Sequence, residues 1–287
     1  MYKFIFLLIL FVSQLSSAQD LNLLKSFPLE NPLSYQFVRT IAQDKDGFMW
    51  FGSQEGLYRY DGHDFLKFHH SVTDPHSLSS DVISRILVDS RKNIWIATRG
   101  GGLNLYNDKK KNFLRINSST PKNQLTDDNI NAIIEDQEGK IWVGTENGLN
   151  IMQLIDGSWH IKQIKQQLGN QNSLSNNMIH ALMLTKNGNI WVGTNGGGIS
   201  VFDINGKFIK QVQFANNKLA SSATKLVNSL FQDKQDNIWI GTVEHGLIKY
   251  NPNSEKVHRY QYNAQDKYSI SSNTLVAIYQ DTSGKLW

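Results

Sequence analysis

One short block recurs along the chain, and its period constrains the fold more than any other feature. Six of the seven tryptophans lie in the same local pattern, at spacings of 45, 47, 49, 48 and 48 residues. A repeat of this length indicates stacked supersecondary units, each of which buries its apolar face against the next. The repeated tryptophans are Trp50, Trp95, Trp142, Trp191, Trp239 and Trp287.

The fourth copy of the repeat shows what one unit contains. Apolar or alternating segments at 178–185, 190–194, 199–203 and 208–214 are separated by turn sequences, without helical periodicity. Each unit is therefore predicted to form four antiparallel strands. Radial repetition of such sheets makes a β-propeller, so we predict this all-β fold for 35–287, with about five and a half blades. A β-solenoid is the structural alternative, but its repeats are much shorter.

A turn with two recurring positions precedes each tryptophan. Aspartate stands six residues before five of the six tryptophans, and Thr185 takes its place in the fourth copy. We interpret these aspartates as turn formers, because the side chain accepts hydrogen bonds from nearby backbone N–H groups. Glycine stands three residues before four of the tryptophans. Where it is missing, the next residue is Asn93 or Asn237, which we expect to take the left-handed conformation instead.

The tryptophans themselves are interpreted as core between adjacent blades. Each lies between apolar neighbours in a strand, where a buried indole would cover about 150–250 Å². A platform for stacking sugar rings is the alternative, but recurrence in every copy favours the core. Trp159 falls in an outer strand and is expected to be partly exposed. The triple glycine at 196–198 is also interpreted as architecture, because no helix and no Lys-Ser/Thr pair follows it.

The N-terminus has the features of a secretory signal peptide. Lys3 precedes an apolar run at 4–12 and small residues at 16–18, an order that predicts cleavage after Ala18. An uncleaved anchor is the alternative, although a bilayer span takes about 20 apolar residues. The predicted divisions are a signal peptide at 1–18, a lead-in at 19–34 and the propeller from 35 onward. Within the lead-in, 23–30 is a candidate ring-closing strand.

Charge and residue content exclude several classes of partner. The net charge is only +4, and no basic run is longer than 109–111, so we expect no nucleic-acid binding. The chain has no cysteine, and an exported domain without disulfides depends on its core for stability. We expect no cofactor and no metal site, because the adjacent His69 and His70 would point to opposite faces of a strand.

Candidate ligand-binding residues stand where the copies of the repeat diverge. Five of the six residues that lie eleven positions before the tryptophans are polar, within otherwise apolar strands. Together with the loops after the second strands, they could form a funnel for a polyhydroxylated or charged small ligand. Solvated strand ends without a ligand are the alternative. The strand candidates are Arg39, Asn131, His180 and Asn228, with Ser84 and Val276 at equivalent positions, and the loop candidates are Glu55, Arg99, Glu146, Asn195, Glu244 and His245.

The residues of the first two copies resemble a known family. "DGFMWFGSQEGLYRYDGHDFLKFHH" followed by "DPHSLSSDVISRILVD" is similar to the start of the two-component regulator propeller family, and the resemblance extends over about 27–287. Ala97 replaces a glycine of the pattern, and 218–224 departs from it.

This resemblance implies a seven-bladed ring, often one of two in tandem. A β-sandwich linker, one transmembrane helix and a cytoplasmic histidine kinase or diguanylate cyclase would then follow in the full-length protein. The chain would be an N-terminal fragment that lies in the periplasm and is held at the inner membrane only through that downstream helix. A homodimer of the full-length protein is implied as well.

Two functional classes remain open at this point. A sensor domain would carry no catalytic residue and would bind an unidentified small ligand, of which an oligosaccharide is one candidate. A secreted polysaccharide lyase or glycosidase would need an unrepeated acid–base set near the axis. Glu55, Glu146 and Glu244 at loop tips keep the enzyme open. A protein-docking scaffold is a third possibility, and it would expose aromatic residues.

Overall fold

A computed structural model describes residues 32–33, 35–214 and 225–287 of the 287-residue chain. The predicted signal peptide at 1–18, the candidate closing strand at 23–30 and the divergent segment at 218–224 lie outside the described residues. Within the described ranges, no helix has the length and apolar character needed to cross a membrane.

Twenty strands form five four-stranded sheets in the described part of the chain, and we number these sheets as blades 1 to 5. Blade 1 contains β1 (Thr40–Gln43), β2 (Met49–Gly52), β3 (Leu57–Tyr60) and β4 (Phe65–Phe68). Blade 2 contains β5 (Ile83–Val88), β6 (Ile94–Thr98), β7 (Leu103–Asn107) and β8 (Asn112–Ile116). Blade 3 contains β9 (Ile130–Glu135), β10 (Ile141–Thr145), β11 (Gly148–Ile155) and β12 (Ser158–Ile164). Blade 4 contains β13 (Ile179–Leu184), β14 (Ile190–Thr194), β15 (Ile199–Phe202) and β16 (Phe208–Gln211), and blade 5 contains β17 (Val227–Gln232), β18 (Ile238–Thr242), β19 (Leu247–Tyr250) and β20 (Val257–Tyr260).

The blades are arranged radially, as predicted. Within each sheet the strands follow one another in sequence order and pair antiparallel. The first strands of successive blades contact one another, from β1 to β5, β9, β13 and β17. These inner strands line the axis, and the predicted propeller fold is confirmed. The outer strand of the fourth copy is shorter than predicted, because β16 ends at Gln211 rather than at 214.

In the five copies that have it, the aspartate before the tryptophan does more than form a turn. In blade 3, Oδ1 of Asp136 accepts hydrogen bonds from the backbone N–H groups of Glu138 and Lys140, both at 2.9 Å. Oδ2 of the same carboxylate accepts the indole N–H of Trp142 at 2.8 Å. The equivalent indole bonds join Asp44 to Trp50, Asp89 to Trp95, Asp233 to Trp239 and Asp281 to Trp287, at 2.7 to 3.0 Å.

The expected role of Asn93 and Asn237 in this turn is wrong. The left-handed conformation belongs to the residue before each of them, Lys92 at φ 67° and Asp236 at φ 64°, because the turn needs that geometry at a fixed position. The asparagine side chain instead donates to the turn carboxylate, from Asn237 to Oδ2 of Asp233 at 2.9 Å. Burial alone would raise the pKa of Asp233, but the hydrogen bonds from Asn237 and Trp239 outweigh it and hold the pKa below its usual value.

Four of the repeated tryptophans are confirmed as core between blades. Trp142 is fully buried and packs against Ile190 and Val192 in the middle strand of the next blade. Trp50, Trp95 and Trp191 make the same kind of contact with blades 2, 3 and 5, respectively. Trp159 is half-buried, in agreement with the predicted partial exposure. Its ring packs edge-on against that of Trp95, at 5.0 Å between ring centroids.

Trp287 differs in exposure from the five other repeated tryptophans. Its side chain is 67% exposed, whereas that of Trp239 is 8% exposed. Each of the four core indoles described above is covered by the blade that follows it in sequence. In the sixth unit, Gln280 and Leu286 form an isolated antiparallel bridge, and β20 (Val257–Tyr260) is the last strand of the described residues.

Glycines occupy places where two chain segments approach closely. A Cβ on Gly197 would lie 2.6 Å from the backbone carbonyl of Ser175, and one on Gly144 would lie 2.5 Å from Cγ2 of Ile179 in the next blade. The triple glycine at 196–198 is therefore architecture, as interpreted from the sequence. Gly144 allows the middle strand of one blade to contact the inner strand of the next.

We predict that exchanging the turn residues of blades 3 and 4 has opposite effects on stability. Asp136→Thr leaves the indole N–H of buried Trp142 without its acceptor, which costs about 1–3 kcal/mol. Thr185→Asp gives Trp191 the acceptor that it lacks among the described residues, so it should raise the free energy of unfolding. Urea denaturation monitored by tryptophan fluorescence measures both changes. A Thr185→Asp variant less stable than the wild type would contradict the role assigned to the carboxylate.

We also predict that Gly144→Ala destabilises the protein by about 1–3 kcal/mol, because the added methyl group overpacks the contact with Ile179. Ala97→Gly is the matched control, since Ala97 occupies the equivalent position in blade 2 and has room for its methyl group. The control should cost roughly 1 kcal/mol or less, through the flexibility of glycine in a strand. Equal unfolding midpoints for Gly144→Ala and the wild type would contradict this prediction, because they would show that the two blades can shift to accommodate the methyl group.

Candidate functional site

The starts of the inner strands share a structural irregularity at one end of the axis. In blade 2 the pairing of β5 with β6 passes from Ile83 to Arg85, so Ser84 is an extra residue without an opposite partner. A β-bulge of this kind bends the strand and redirects a side chain. The same shift leaves Asn131, His180 and Asn228 as the extra residues of blades 3, 4 and 5.

These bulge residues meet around a cavity of about 120 Å³ at the axis. The structure brings five of the ten predicted ligand-binding candidates together here, since four come from the inner strands and Arg99 comes from a loop. Ser84 and Val276, noted at equivalent positions in the sequence, also contribute. The lining residues are Arg39, Ser84, Arg85, Arg99, Asn131, His180, Asn228 and Val276.

Arg85 is the lining residue that the sequence reasoning missed. It follows Ser84 directly, and in a regular strand two consecutive side chains would point to opposite faces. The bulge between Ile83 and Arg85 breaks that alternation. The available signal was a charged residue inside an apolar inner strand, one position after the bulge residue.

Hydrogen bonds fix some of the lining side chains and leave others free. The amide of Asn131 donates to the carbonyl of Ile179 at 3.1 Å, and that of Asn228 donates to the carbonyl of Leu275 at 2.8 Å. Both bonds tie an inner strand to the next unit, so these asparagines also have a structural role. Among the described residues, the buried hydroxyl of Ser84 has no hydrogen-bond partner.

The electrostatic character of the cavity is positive. Burial lowers the pKa of the Arg85 guanidinium, and the charges of Arg39 and Arg99 lower it further. Burial is also the largest cause that lowers the pKa of His180, and Arg99 and Arg85 add to it while Glu146 opposes them. A lowered pKa favours the neutral form of His180, which can both donate and accept a hydrogen bond.

The other five candidates do not line the cavity. Glu55 accepts a hydrogen bond from Gln36 at 2.7 Å, and the amide of Asn195 contacts the sulfur of Met178 at 3.1 Å. Glu244 adopts a left-handed conformation at φ 66°, and the carbonyl of His245 accepts from Arg259. Glu146 lies near enough to His180 to affect its pKa.

The carboxylates required by the enzyme hypothesis are not gathered at the axis. Glu55, Glu146 and Glu244 follow the second strands of three different blades, and none of them lines the cavity. Among the described residues, no cluster of three acidic or histidine side chains could hold a metal ion.

The repeat itself matches a described family. The "Two component regulator propeller" repeat matches at residues 32–55, 77–100, 124–147, 173–196 and 221–244. Every match runs through the inner strand and the tryptophan strand of one blade and ends in the loop after it. A comparison with curated proteins gave no match.

Solved structures share the fold. An extracellular domain assigned to the hybrid two-component system BT3049 of B. thetaiotaomicron is 22% identical, with a TM-score of 0.67, over 92% of this chain and 40% of that chain. An extracellular domain assigned to the one-component system BT4673 of the same organism is 19% identical, with a TM-score of 0.52, over 88% and 40%. A catalytically inactive virginiamycin B lyase from Staphylococcus aureus, solved with quinupristin, is 10% identical, with a TM-score of 0.57, over 80% and 71%.

The chain thus spans about 40% of the length of the first two of these domains. At such identities the likeness shows the fold alone, so the family assignment depends on the repeat. Because five matches to that repeat coincide with five consecutive blades, the chain belongs to the two-component regulator propeller family.

Proposed function

We propose that the chain is an exported ligand-sensing domain of a membrane-anchored signalling protein. The observation that carries this proposal is the contrast between the two ends of the blades. The aspartate–tryptophan turn is nearly identical in every copy, whereas the bulge residues at the other end are Ser84, Asn131, His180 and Asn228. A ring built only for stability has no need of different polar side chains around one cavity, but a recognition site does.

The family and its structural relatives support this role. The repeat is described as a two-component regulator propeller, and the domains of BT3049 and BT4673 are extracellular parts of signalling systems. We place the domain in the periplasm after cleavage at Ala18. A helix downstream in the full-length protein would anchor it in the inner membrane, and a histidine kinase or diguanylate cyclase would be the output. Within this proposal the propeller itself has no catalytic role.

The arrangement of the cavity suggests how binding could alter the ring. Its lining comes from all five blades and from the sixth unit, so a ligand there would contact several inner strands at once. A ligand shifts a conformational equilibrium only if it binds the two states with different affinities. A ligand that contacts several blades would bind two arrangements of those blades with different affinities, because its contacts change when the blades move relative to one another. A homodimer of the full-length protein would transmit the change.

The proposal predicts where the full-length protein is located in the cell and how it responds to an oligosaccharide. Cell fractionation should find the domain accessible to protease from the periplasmic side, with a mature N-terminus at Gln19. A screen of oligosaccharides should identify a compound that raises the melting temperature of the protein and changes the transcription of its target genes. Arg99→Ala should reduce both effects at least tenfold in required ligand concentration, because Arg99 contributes a positive charge to the cavity.

Lys256→Ala is the matched control, since Lys256 is exposed in the turn between β19 and β20. This variant should respond like the wild type. A cytoplasmic domain, or an Arg99→Ala variant with an unchanged response, would contradict the proposal. Hydrolysis or elimination of an oligosaccharide by the propeller alone would favour the enzyme instead.

A further inference from the structure

Three arginines meet at the axial cavity without an acidic partner. Arg39 precedes β1, Arg85 lies in β5 and Arg99 follows β6, and all three line the same cavity. None of them forms an ion pair within the described part of the chain. Arg39 and Arg99 are exposed and Arg85 is partly buried, so the mouth of the cavity carries its charge toward solvent.

This arrangement is electrostatically unfavourable when the cavity contains only water. Like charges disfavour one another, and burial adds the cost of removing a guanidinium from water. Both causes act together on Arg85, and they lower its pKa. Glu146 is the acid that acts on His180, but it does not line the cavity. An anion bound among the three guanidinium groups would relieve this repulsion.

The hydrogen-bonding groups of the cavity are also largely unused. The side chain of Ser84 is 2% exposed, and its hydroxyl has no partner in the described structure. An arginine has five N–H donors, yet Arg85 donates to the carbonyl of Ser84 at 2.8 Å and Arg99 to the amide oxygen of Asn131 at 3.3 Å. An oxyanion accepts several hydrogen bonds at once, so it would use the remaining guanidinium donors together.

The size of the cavity limits what it can hold. At about 120 Å³ it has room for several water molecules. Pockets that enclose a whole drug-sized ligand measure roughly 300–1,000 Å³. The cavity therefore suits one compact group, and the remainder of a larger ligand would lie outside it, beside the loops that follow the second strands.

We infer that this cavity binds the oxyanion group of a small ligand, a carboxylate or a sulfate, through Arg39, Arg85 and Arg99. Guanidinium groups match the geometry of these oxyanions and bind them with two parallel hydrogen bonds. The imidazole of His180 lines the same cavity and completes the site. The inference rests on the proposed sensing function for the purpose of the site, and it narrows the ligand class to acidic molecules.

The test is calorimetric titration of the full-length protein with matched probes at low ionic strength. Glucuronate and glucose have the same sugar ring, but glucuronate carries a carboxylate where glucose carries a hydroxymethyl group. Inorganic sulfate tests whether an anion binds without a sugar ring. We expect glucuronate or sulfate to bind at least tenfold more tightly than glucose, with an affinity that falls as salt screens the charges. Glucuronate binding without sulfate binding identifies a carboxylate site, and the reverse identifies a sulfate site.

Arg85→Met should weaken anion binding at least tenfold, and Arg85→Lys should weaken it less because the charge is kept. The unliganded Arg85→Met variant should melt at the same temperature as the wild type or higher, since a repulsive charge is removed. Arg91→Met is the control, because Arg91 donates to the carbonyl of Gly139 in a turn at the opposite end of the blades. If Arg85→Met does not fold, Arg99→Met provides the same comparison at an exposed position.

Equal affinities for glucuronate and glucose, no binding of either anion, or anion binding unchanged in Arg85→Met would overturn the inference. These results are separable from a failure of the sensing function. Arg85-dependent anion binding without any change in target-gene transcription keeps the site and rejects the sensor. A transcriptional response that is identical in the wild type and Arg85→Met keeps the sensor and rejects the anion site.

Discussion

The structure depends on one carboxylate that serves two parts of the blade in four of the five blades. In blade 3, Asp136 holds the turn through two backbone N–H groups and holds the indole of Trp142 through its second oxygen. The turn and the indole are therefore oriented together, and the indole faces the next blade, where it packs against Ile190 and Val192. Hydrogen bonds from Ser283 and Trp287 lower the pKa of Asp281 to about 2, so this carboxylate stays ionised, and able to accept them, well below neutral pH.

This constraint separates the two ends of every blade. The end that carries the aspartate turn has little freedom to vary, because a change there disturbs both the strand pairing and the contact between blades. The opposite end begins the inner strands of blades 2 to 5 with a bulge, and the extra residue does not take part in pairing. A different side chain at that position leaves the ladder intact. The repeat can therefore stay constant as a frame while one ring of side chains changes.

Much of the fold was predictable because periodicity and local turn chemistry act over short distances in the chain. The period of the tryptophans predicted the blades. The divergence of one repeated strand position predicted four of the lining residues, and the divergence of the loops predicted Arg99. Arg85 was missed because strand alternation assigns it to the wrong face, and only the register shift shows otherwise. The hydrogen bond from the indole of Trp142 to Asp136 was not predicted, because it depends on how the turn brings the two side chains together. The left-handed backbone of Lys92 was not predicted either, because it depends on the geometry of the same turn in blade 2. The loop candidates Glu55, Asn195, Glu244 and His245 failed to join the cavity because similar loops end in different local contacts.

The positive charge at the axis and the packing between blades both depend on the contact between neighbouring inner strands. Inner strands of neighbouring blades contact one another at the axis, so charges placed there act across blade boundaries rather than within one sheet. Arg39 belongs to the first unit, while Arg85 and Arg99 belong to the second, and their repulsion opposes the close approach of those two blades. The indole of Trp50, packed against Ile94 and Ile96, holds the same two blades together. An anion between the arginines would turn this repulsion into attraction. Within the described residues, a buried aromatic contact and an unpaired charge cluster meet at this boundary, so binding there would act directly on the contact between blades 1 and 2.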